Sequence, residues 1–459
     1  LKRHLLVCLL ALGLVAGACS SSRGADPTAK AGDSTTTTAA STTAGTTFGD
    51  LASPCGKGDA KGATDKGVTD TGITIGYGDD AGFTQSPGLS HETSDAMKAF
   101  IKWCNDQGGI NGRQVKGNYY DAKITDVTNA VTQACNDGDF MLVGEAWALD
   151  AAQEQARLGC GLPAVPTYSV SADFAMAPLM KVGVPSPADY VSAGFGAVMA
   201  KQFPTQAKKA AVVYGNFSAT LDTAEKVQAS YSKLGMAFSC PQVYNIAGEA
   251  DWKPFAQKLK SCGAEMVFFS GQAYPNGQNL LEAADQLGYH PIWLFDANDY
   301  LASFAKWNTG GLGDNVYARS AFVPLEQADK VPVVKQYLDI VKGNGGDVSQ
   351  LGEQTVSSFL LWATAVKACG SDVTRTCVLG QMGKVTKWTA GGLHAASNPG
   401  GNMPPECVAV LRLQGTKWVQ AFPKGEGFDC SPSYVVKVGG RVVDQAQLGP
   451  DRISTKYKQ

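Results

Sequence analysis

Histidine and the compact signatures of catalysis are scarce in this chain. Its 459 residues include four histidines and no Cys-x-x-Cys, His-Glu-x-x-His or Gly-x-Ser-x-Gly, so zinc-site, metalloprotease and nucleophile-elbow chemistry have no motif to stand on. Charge is sparse as well, at 17% of residues against the ~25% usual for soluble proteins. The 39 basic and 41 acidic side chains nearly cancel to a net of -2, which offers no cationic field to a polyanion and excludes a nucleic-acid partner. No apolar run reaches the ~20 residues needed to span a bilayer. What the chain has in quantity is Gly 53 and Pro 21, a loop-rich globular composition long enough for two to four structural units.

The longest apolar run, over 5–16, follows Lys2 and Arg3 and has the length of a signal-peptide core, so residues 1–18 are expected to direct export. The run ends Ala16-Gly17-Ala18-Cys19 and is followed by three serines. This resembles a bacterial lipobox, which implies lipidation of Cys19 and anchoring to the outer face of the cytoplasmic membrane; an ordinary Ala-x-Ala cleavage site also fits. Residues 19–69 begin rich in Ser, Thr, Ala and Gly and are expected to form a tether with a reach of roughly 40 Å.

Beyond residue 70, short β-rich runs alternate with amphipathic stretches. Strands are expected over 73–77, 115–121, 140–144 and 163–165, with helices over 90–104, 126–135 and up to 158. After Gly183, Pro185 and Pro187 the pattern restarts: a helix over 188–203, then strands over 210–214, 242–246, 266–269 and 291–295 with helices between them. Repeated strand-helix-strand units without hairpin signals give an α/β fold of two doubly wound parallel-sheet lobes. Two helices, over 331–341 and 356–369, and two antiparallel strands, over 408–413 and 418–422, complete the body.

Twelve cysteines occur; with Cys8 in the signal and Cys19 lipidated, ten remain in an oxidising compartment and five disulfides are expected. In a doubly wound lobe, helix C-termini gather where strands begin. That topology pairs Cys55 with Cys104 and Cys135 with Cys160; sequence proximity pairs Cys240 with Cys262, Cys369 with Cys377, and Cys407 with Cys430.

Gly76-Tyr77-Gly78-Asp79-Asp80-Ala81-Gly82 mimics a dinucleotide fingerprint, but Asp79 and Asp80 would sit where a pyrophosphate needs bare amides, so no cofactor is expected. Ligands of open parallel sheets bind beyond the carboxyl ends of the strands. The loops there carry Gln85, Glu145, Trp147, Tyr168, Ser169, Asn216, Phe217, Tyr274, Asp296, Asn298 and nearby Asp299. This mix of aromatics and small polar groups suits a small ligand with an apolar body, with Trp147 and Tyr274 expected on opposite sides of it. Paired acids such as Asp296 and Asp299 leave an exported hydrolase as the competing reading.

Gly108-Gly109-Ile110-Asn111-Gly112-Arg113, between a helix and a strand ending at Asp121, is similar to the solute-binding proteins of ABC transporters of the branched-chain amino acid type. Leu142-Val143-Gly144, Val212-Val213-Tyr214, the run Val267-Phe268-Phe269-Ser270-Gly271 and Ala283-Ala284-Asp285-Gln286-Leu287-Gly288 support the resemblance over about residues 70–430. It implies a monomeric non-enzyme with the type I periplasmic binding fold, closing over a small molecule and delivering it to membrane permease subunits. A ligand-sensing lipoprotein docked to a membrane receptor would use the same pocket. Lobe 1 would comprise 70–184 with 322–406 and lobe 2 would comprise 185–321 with 407–459, the crossings lying near 183–185, 321–323 and 405–407. The family's ligand-carboxylate hydroxyls fall on Ser169 or Ser171, and its ammonium-binding acid on Asp296 or Asp299. Where the family has a Ser-rich loop, this chain has Glu145-Ala146-Trp147-Ala148-Leu149, with Glu145 facing the ligand. An amide, an aromatic compound or another small metabolite is therefore as well matched as a branched-chain amino acid.

Overall fold

The structure, a computed structural model, describes residues 47–457; the expected signal segment and Cys19 lie outside the described residues. Lobe 1 is built from β1 (Gly72–Asp79), α1 (His91–Asp106), β2 (Gln114–Asp121), α2 (Val127–Asp137), β3 (Leu142–Val143), α3 (Glu154–Gly159) and β4 (Ala164–Val165). Its four strands are all parallel in the order β2-β1-β3-β4. β1 has a partner on each side, and Tyr77 to Asp79 at its carboxyl end are buried, whereas the edge strand β2 mixes exposed and buried positions. That contrast follows from covering a sheet on both faces at its centre only.

Lobe 2 takes α4 (Gly194–Gln202), β5 (Ala210–Gly215), α5 (Ser218–Lys233), β6 (Gln242–Tyr244), α6 (Lys253–Ser261), β7 (Met266–Ser270), α7 (Gln278–Gln286), β8 (Ile292–Phe295) and β9 (Val316–Ser320). The chain then contributes α8 (Pro332–Gly343), α9 (Gln350–Cys369) and α10 (Arg375–Met382) to lobe 1 before returning through β10 (Cys407–Gln414) and β11 (Lys417–Phe422). The lobe 2 sheet runs β6-β5-β7-β8-β9 in parallel, and β10 and β11 extend it antiparallel. β7, Met-Val-Phe-Phe-Ser, is buried at every position, as a central strand between two helical layers must be.

Core membership switches with the chain. Val182 belongs to a lobe 1 core and Val191 to a lobe 2 core; Ala318 lies in lobe 2 and Phe322 in lobe 1; Leu393 lies in lobe 1 and Val408 in lobe 2. The segments between these residues carry the chain across three times.

The Gly108–Arg113 motif does structural work that its composition demands. Gly108, Gly109 and Gly112 have φ of 110°, 77° and 90°, and a Cβ on Gly109 would stand 2.1 Å from the Arg113 carbonyl oxygen. The turn delivers Arg113, wholly buried, to the carbonyls of Thr69 at 2.9 Å, Gly62 at 3.0 Å, Ser371 at 3.2 Å and Gly370 at 3.3 Å. A guanidinium so ringed by carbonyl oxygens ties the N-terminal segment to the end of α9.

Here the sequence expectation needs correction, because residues 47–69 are not tether. Phe48 is fully buried against Phe100 and Trp103, at ring-centroid distances of 5.4 and 6.1 Å, and Val68 is buried in the same core. A few apolar anchors in a polar stretch suffice to dock it. A second difference lies over 188–203. The segment opens as a strand, Tyr190–Ser192, paired antiparallel with Val435–Lys437, and turns helical only at Gly194.

Disulfides join Cys55 to Cys104, Cys135 to Cys160, Cys240 to Cys262, Cys369 to Cys377 and Cys407 to Cys430, the five pairs named from the sequence. The C-terminal segment lies across both lobes. Arg441 pairs with Asp222 and Glu225 of α5 at 2.6 and 2.9 Å, Arg452 with Asp189 at 2.7 Å, and Lys456 with Asp173. No helix among the described residues is long and apolar enough to cross a membrane.

Candidate functional site

Between the lobes lies a cavity of about 520 Å³, within the size range of small-ligand sites. Its walls follow the strand-end rule. Phe83 follows β1, Ala148 follows β3, and Tyr168 and Ser169 follow β4; from lobe 2 come Phe217 after β5, Gln272 to Tyr274 after β7, and Asp296 to Asn298 after β8. Pro185, Ala321 and Pro405 of the crossing segments also line it, so the cavity lies along the segments on which the lobes would move.

The lobe 1 wall is held by the two acids that spoil the dinucleotide motif. Asp80, fully buried, accepts hydrogen bonds from Ile124 N at 2.6 Å and Ala148 N at 2.7 Å. Burial nevertheless pushes its carboxyl up to about 6. Asp79 accepts from the Tyr119 hydroxyl at 2.6 Å. Asp80 therefore braces the loops after β2 and β3, and Asp79 ties β1 to β2.

Among the expected contacts, Ala148, Tyr168, Ser169, Phe217, Tyr274, Asp296, Asn298 and Asp299 line the cavity. Trp147 does not. It is 1% exposed in the core formed by Val131, Leu142, Phe174 and others, because Ala146 N bonds to Gly78 O at 2.9 Å and turns the ring inward towards Tyr120 O, 3.4 Å from its Nε1. Glu145 is likewise buried, 1% exposed, and absent from the lining; burial pushes its carboxyl up to about 8. Ser171 is fully buried, its amide donating to the Asp150 carboxylate, and Asn216 spans a turn by accepting from Ile246 N at 3.0 Å. Gln85 is exposed outside the lining.

The acids carried over for an ammonium group are both engaged. Asp296 takes a two-pronged bond from Arg319, Nε to Oδ1 at 2.6 Å and Nη2 to Oδ2 at 3.0 Å. Burial opposes its charge, but the guanidinium prevails and holds the carboxyl below its usual range. Asp299 is fully buried and accepts from Ala273 N at 2.7 Å, Asp296 N at 3.2 Å and Asn298 Nδ2 at 3.2 Å. Burial and the neighbouring Asp296 push it well above the ordinary carboxylate value, and the three bonds it accepts make it a brace of this loop. Sequence reasoning missed Arg319 and Lys226, which line the same wall. Arg319 had a signal, since a cation near the carboxyl end of a central strand is out of place in a core. Lys226 had none, because within α5 it reads as an ordinary surface charge.

Two parallel-sheet lobes, three crossings and a cavity between strand ends define a two-lobed binding protein. The periplasmic binding protein family profile matches residues 72–417, and the chain belongs to that family. Similar solved structures include a fatty acid ABC transporter substrate-binding protein from Thermomonospora curvata, at 14% identity and TM-score 0.67, covering 83% of this chain and 97% of that one. A branched-chain amino acid transporter substrate-binding protein from Streptococcus pneumoniae in complex with isoleucine aligns at 14% identity and TM-score 0.64, covering 79% and 100%. An ABC transporter solute-binding protein from R. palustris in complex with 4-hydroxybenzoate aligns at 14% identity and TM-score 0.61, covering 80% and 97%. A search of curated protein sequences gives no match. At these identities the likeness establishes the type I periplasmic binding fold.

Proposed function

We propose that the protein is an extracytoplasmic solute-binding lipoprotein, anchored through Cys19, that captures an amino acid, amide or related small metabolite between its lobes and delivers it to an ABC permease without chemical turnover. The observation that carries this reading is the cavity of about 520 Å³ lined by both lobes and by the crossing segments, the arrangement that lets hinge closure report on occupancy. The moving bodies would be 70–184 with 322–406 and 185–321 with 407–459. Isoleucine and 4-hydroxybenzoate, bound by two of the similar structures, are of a size suited to such a cavity.

A thermal-shift screen of the mature protein against amino acids, amides and aromatic acids tests the binding role. A ligand at 100 times its dissociation constant adds ~2.7 kcal/mol of stability. Stabilisation with the compound recovered intact supports the reading, and conversion of the compound would make the protein an enzyme. Cys19→Ser should move the protein from the membrane to the soluble fraction; unchanged fractionation would remove the anchor.

A further inference from the structure

The lobe 2 wall carries two cations, Arg319 and Lys226, and only the first has a carboxylate in contact. On the lobe 2 wall Arg319 and Asp296 neutralise each other. Lys226, 8% exposed, donates to Ser186 O and Ser186 Oγ, each at 3.1 Å, which leaves one of its three N–H donors unused. Among the described residues no carboxylate oxygen lies within 4.0 Å of its Nζ, nor does Arg319 Nη1 donate a hydrogen bond. On the lobe 1 wall, His91 stands 3.7 Å from Glu92 and 3.0 Å from Asp347. A buried ammonium with no carboxylate in contact is costly, and a ligand that supplies one relieves that cost. Elsewhere the cavity presents apolar surface from Phe83, Leu89, Phe217, Val227 and Ile246. Ser169 Oγ and Gln350 Oε1, each on a residue 2% exposed, also line it without a hydrogen-bond partner.

Resting on the binding role above, we propose that the ligand class is a small monocarboxylate with an apolar body, its carboxylate held by Lys226 and the free Nη1 of Arg319. This inverts the expectation drawn from the family, in which a lobe 2 acid receives a ligand ammonium. Here that acid is occupied by Arg319, and the wall offers a cation instead. The apolar body lies against Phe217 and Val227 of lobe 2 and, on closure, Phe83 and Leu89 of lobe 1.

The test uses two matched probe sets, hexanoate with hexanamide and hexylamine, and phenylacetate with phenylacetamide and phenethylamine. Each is titrated by calorimetry into the ligand-stripped protein and into Lys226→Met, whose melting temperature without ligand verifies folding. Lys226→Gln repeats the comparison in case the methionine variant misfolds. The tightest probe in each set should be the carboxylate, by about 10- to 100-fold over its amide, the range of a charge-assisted hydrogen bond. Lys226→Met should erase that margin while leaving amide affinity within about 3-fold. An amide or amine that binds as tightly as its carboxylate, or carboxylate affinity that survives both substitutions, overturns the ligand class while leaving the binding role intact. Failure of all six to bind or to raise the melting temperature at millimolar concentration also overturns the ligand class, and the binding role then fails only if the screen against amino acids, amides and aromatic acids is negative too.

Discussion

Arg319 and Asp296 meet through two parallel bonds, Nε to Oδ1 at 2.6 Å and Nη2 to Oδ2 at 3.0 Å, so that the acid best placed to receive a ligand ammonium already holds a cation. Replacing Asp296 with Asn leaves the guanidinium without its anion. Breaking a fully buried pair costs ~3 to 5 kcal/mol, but the Arg319 side chain keeps 28% exposure, and solvent screening reduces the expected loss to roughly 1 to 3 kcal/mol. Carboxylate affinity should rise at the same time, because Arg319 is released towards the cavity. Denaturant melts and titrations of the variant with hexanoate check both signs; a fall in affinity would show that Asp296 is needed to hold Arg319 in place for the carboxylate.

Lys226 predicts opposite pH trends for stability and binding. Burial, with Arg319 adding repulsion, pushes its ammonium down to about 8, against the attraction of Asp222, Asp296 and Asp189. The folded state therefore releases this proton before the unfolded chain does. Between about pH 8 and the ordinary lysine value of ~10.4 the unfolded state binds more protons, and this group's contribution to stability rises with pH. Carboxylate binding should weaken over the same interval. Subtracting the pH profiles of Lys226→Met from those of the wild type isolates both trends, and a flat difference would place the Lys226 titration elsewhere.

Trp147 and Tyr274, expected to act alike from their positions beyond strand ends, should behave oppositely. Trp147→Ala empties a core position and should cost about 3 to 5 kcal/mol of stability. Tyr274 is 60% exposed at the cavity wall, so Tyr274→Ala should leave the ligand-free melting temperature unchanged and weaken binding by about 1 to 3 kcal/mol. Melting and titration of the two single variants check the contrast.

The C-terminal segment bridges the lobes through Arg441, Arg452 and Lys456, and Ser454 N adds a bond to Met176 O at 2.7 Å. Arg452→Ala removes both bonds to the Asp189 carboxylate. It should lower stability by about 1 kcal/mol and speed hydrogen exchange around 172–176 and 454, while exchange in β7 stays protected. Equal acceleration in β7 would mean that the segment supports the whole fold.

The alternation of β-rich and amphipathic runs made both sheets legible in the sequence, because period and length distinguish central strands such as Met266–Ser270 from the helices between them. Strand-end placement found the loops of the cavity but not the direction of each side chain. Tyr168 and Trp147 both lie just beyond strands, but Trp147 packs into the core, next to the Ala146 to Gly78 hydrogen bond and with its Nε1 towards Tyr120 O. The role of Asp296 depends on Arg319, 23 residues away in sequence, and no local pattern encodes that pairing. Residues 47–69 were obscured by composition, in which one buried phenylalanine weighs little among many polar residues.

Closure without turnover is the central claim, and small-angle scattering of the ligand-stripped protein with and without the tightest-binding probe carboxylate measures it directly. The radius of gyration should fall on saturation and return on dialysis, with the probe recovered chemically unchanged. An unchanged radius at saturation, or consumption of the probe, would contradict the account.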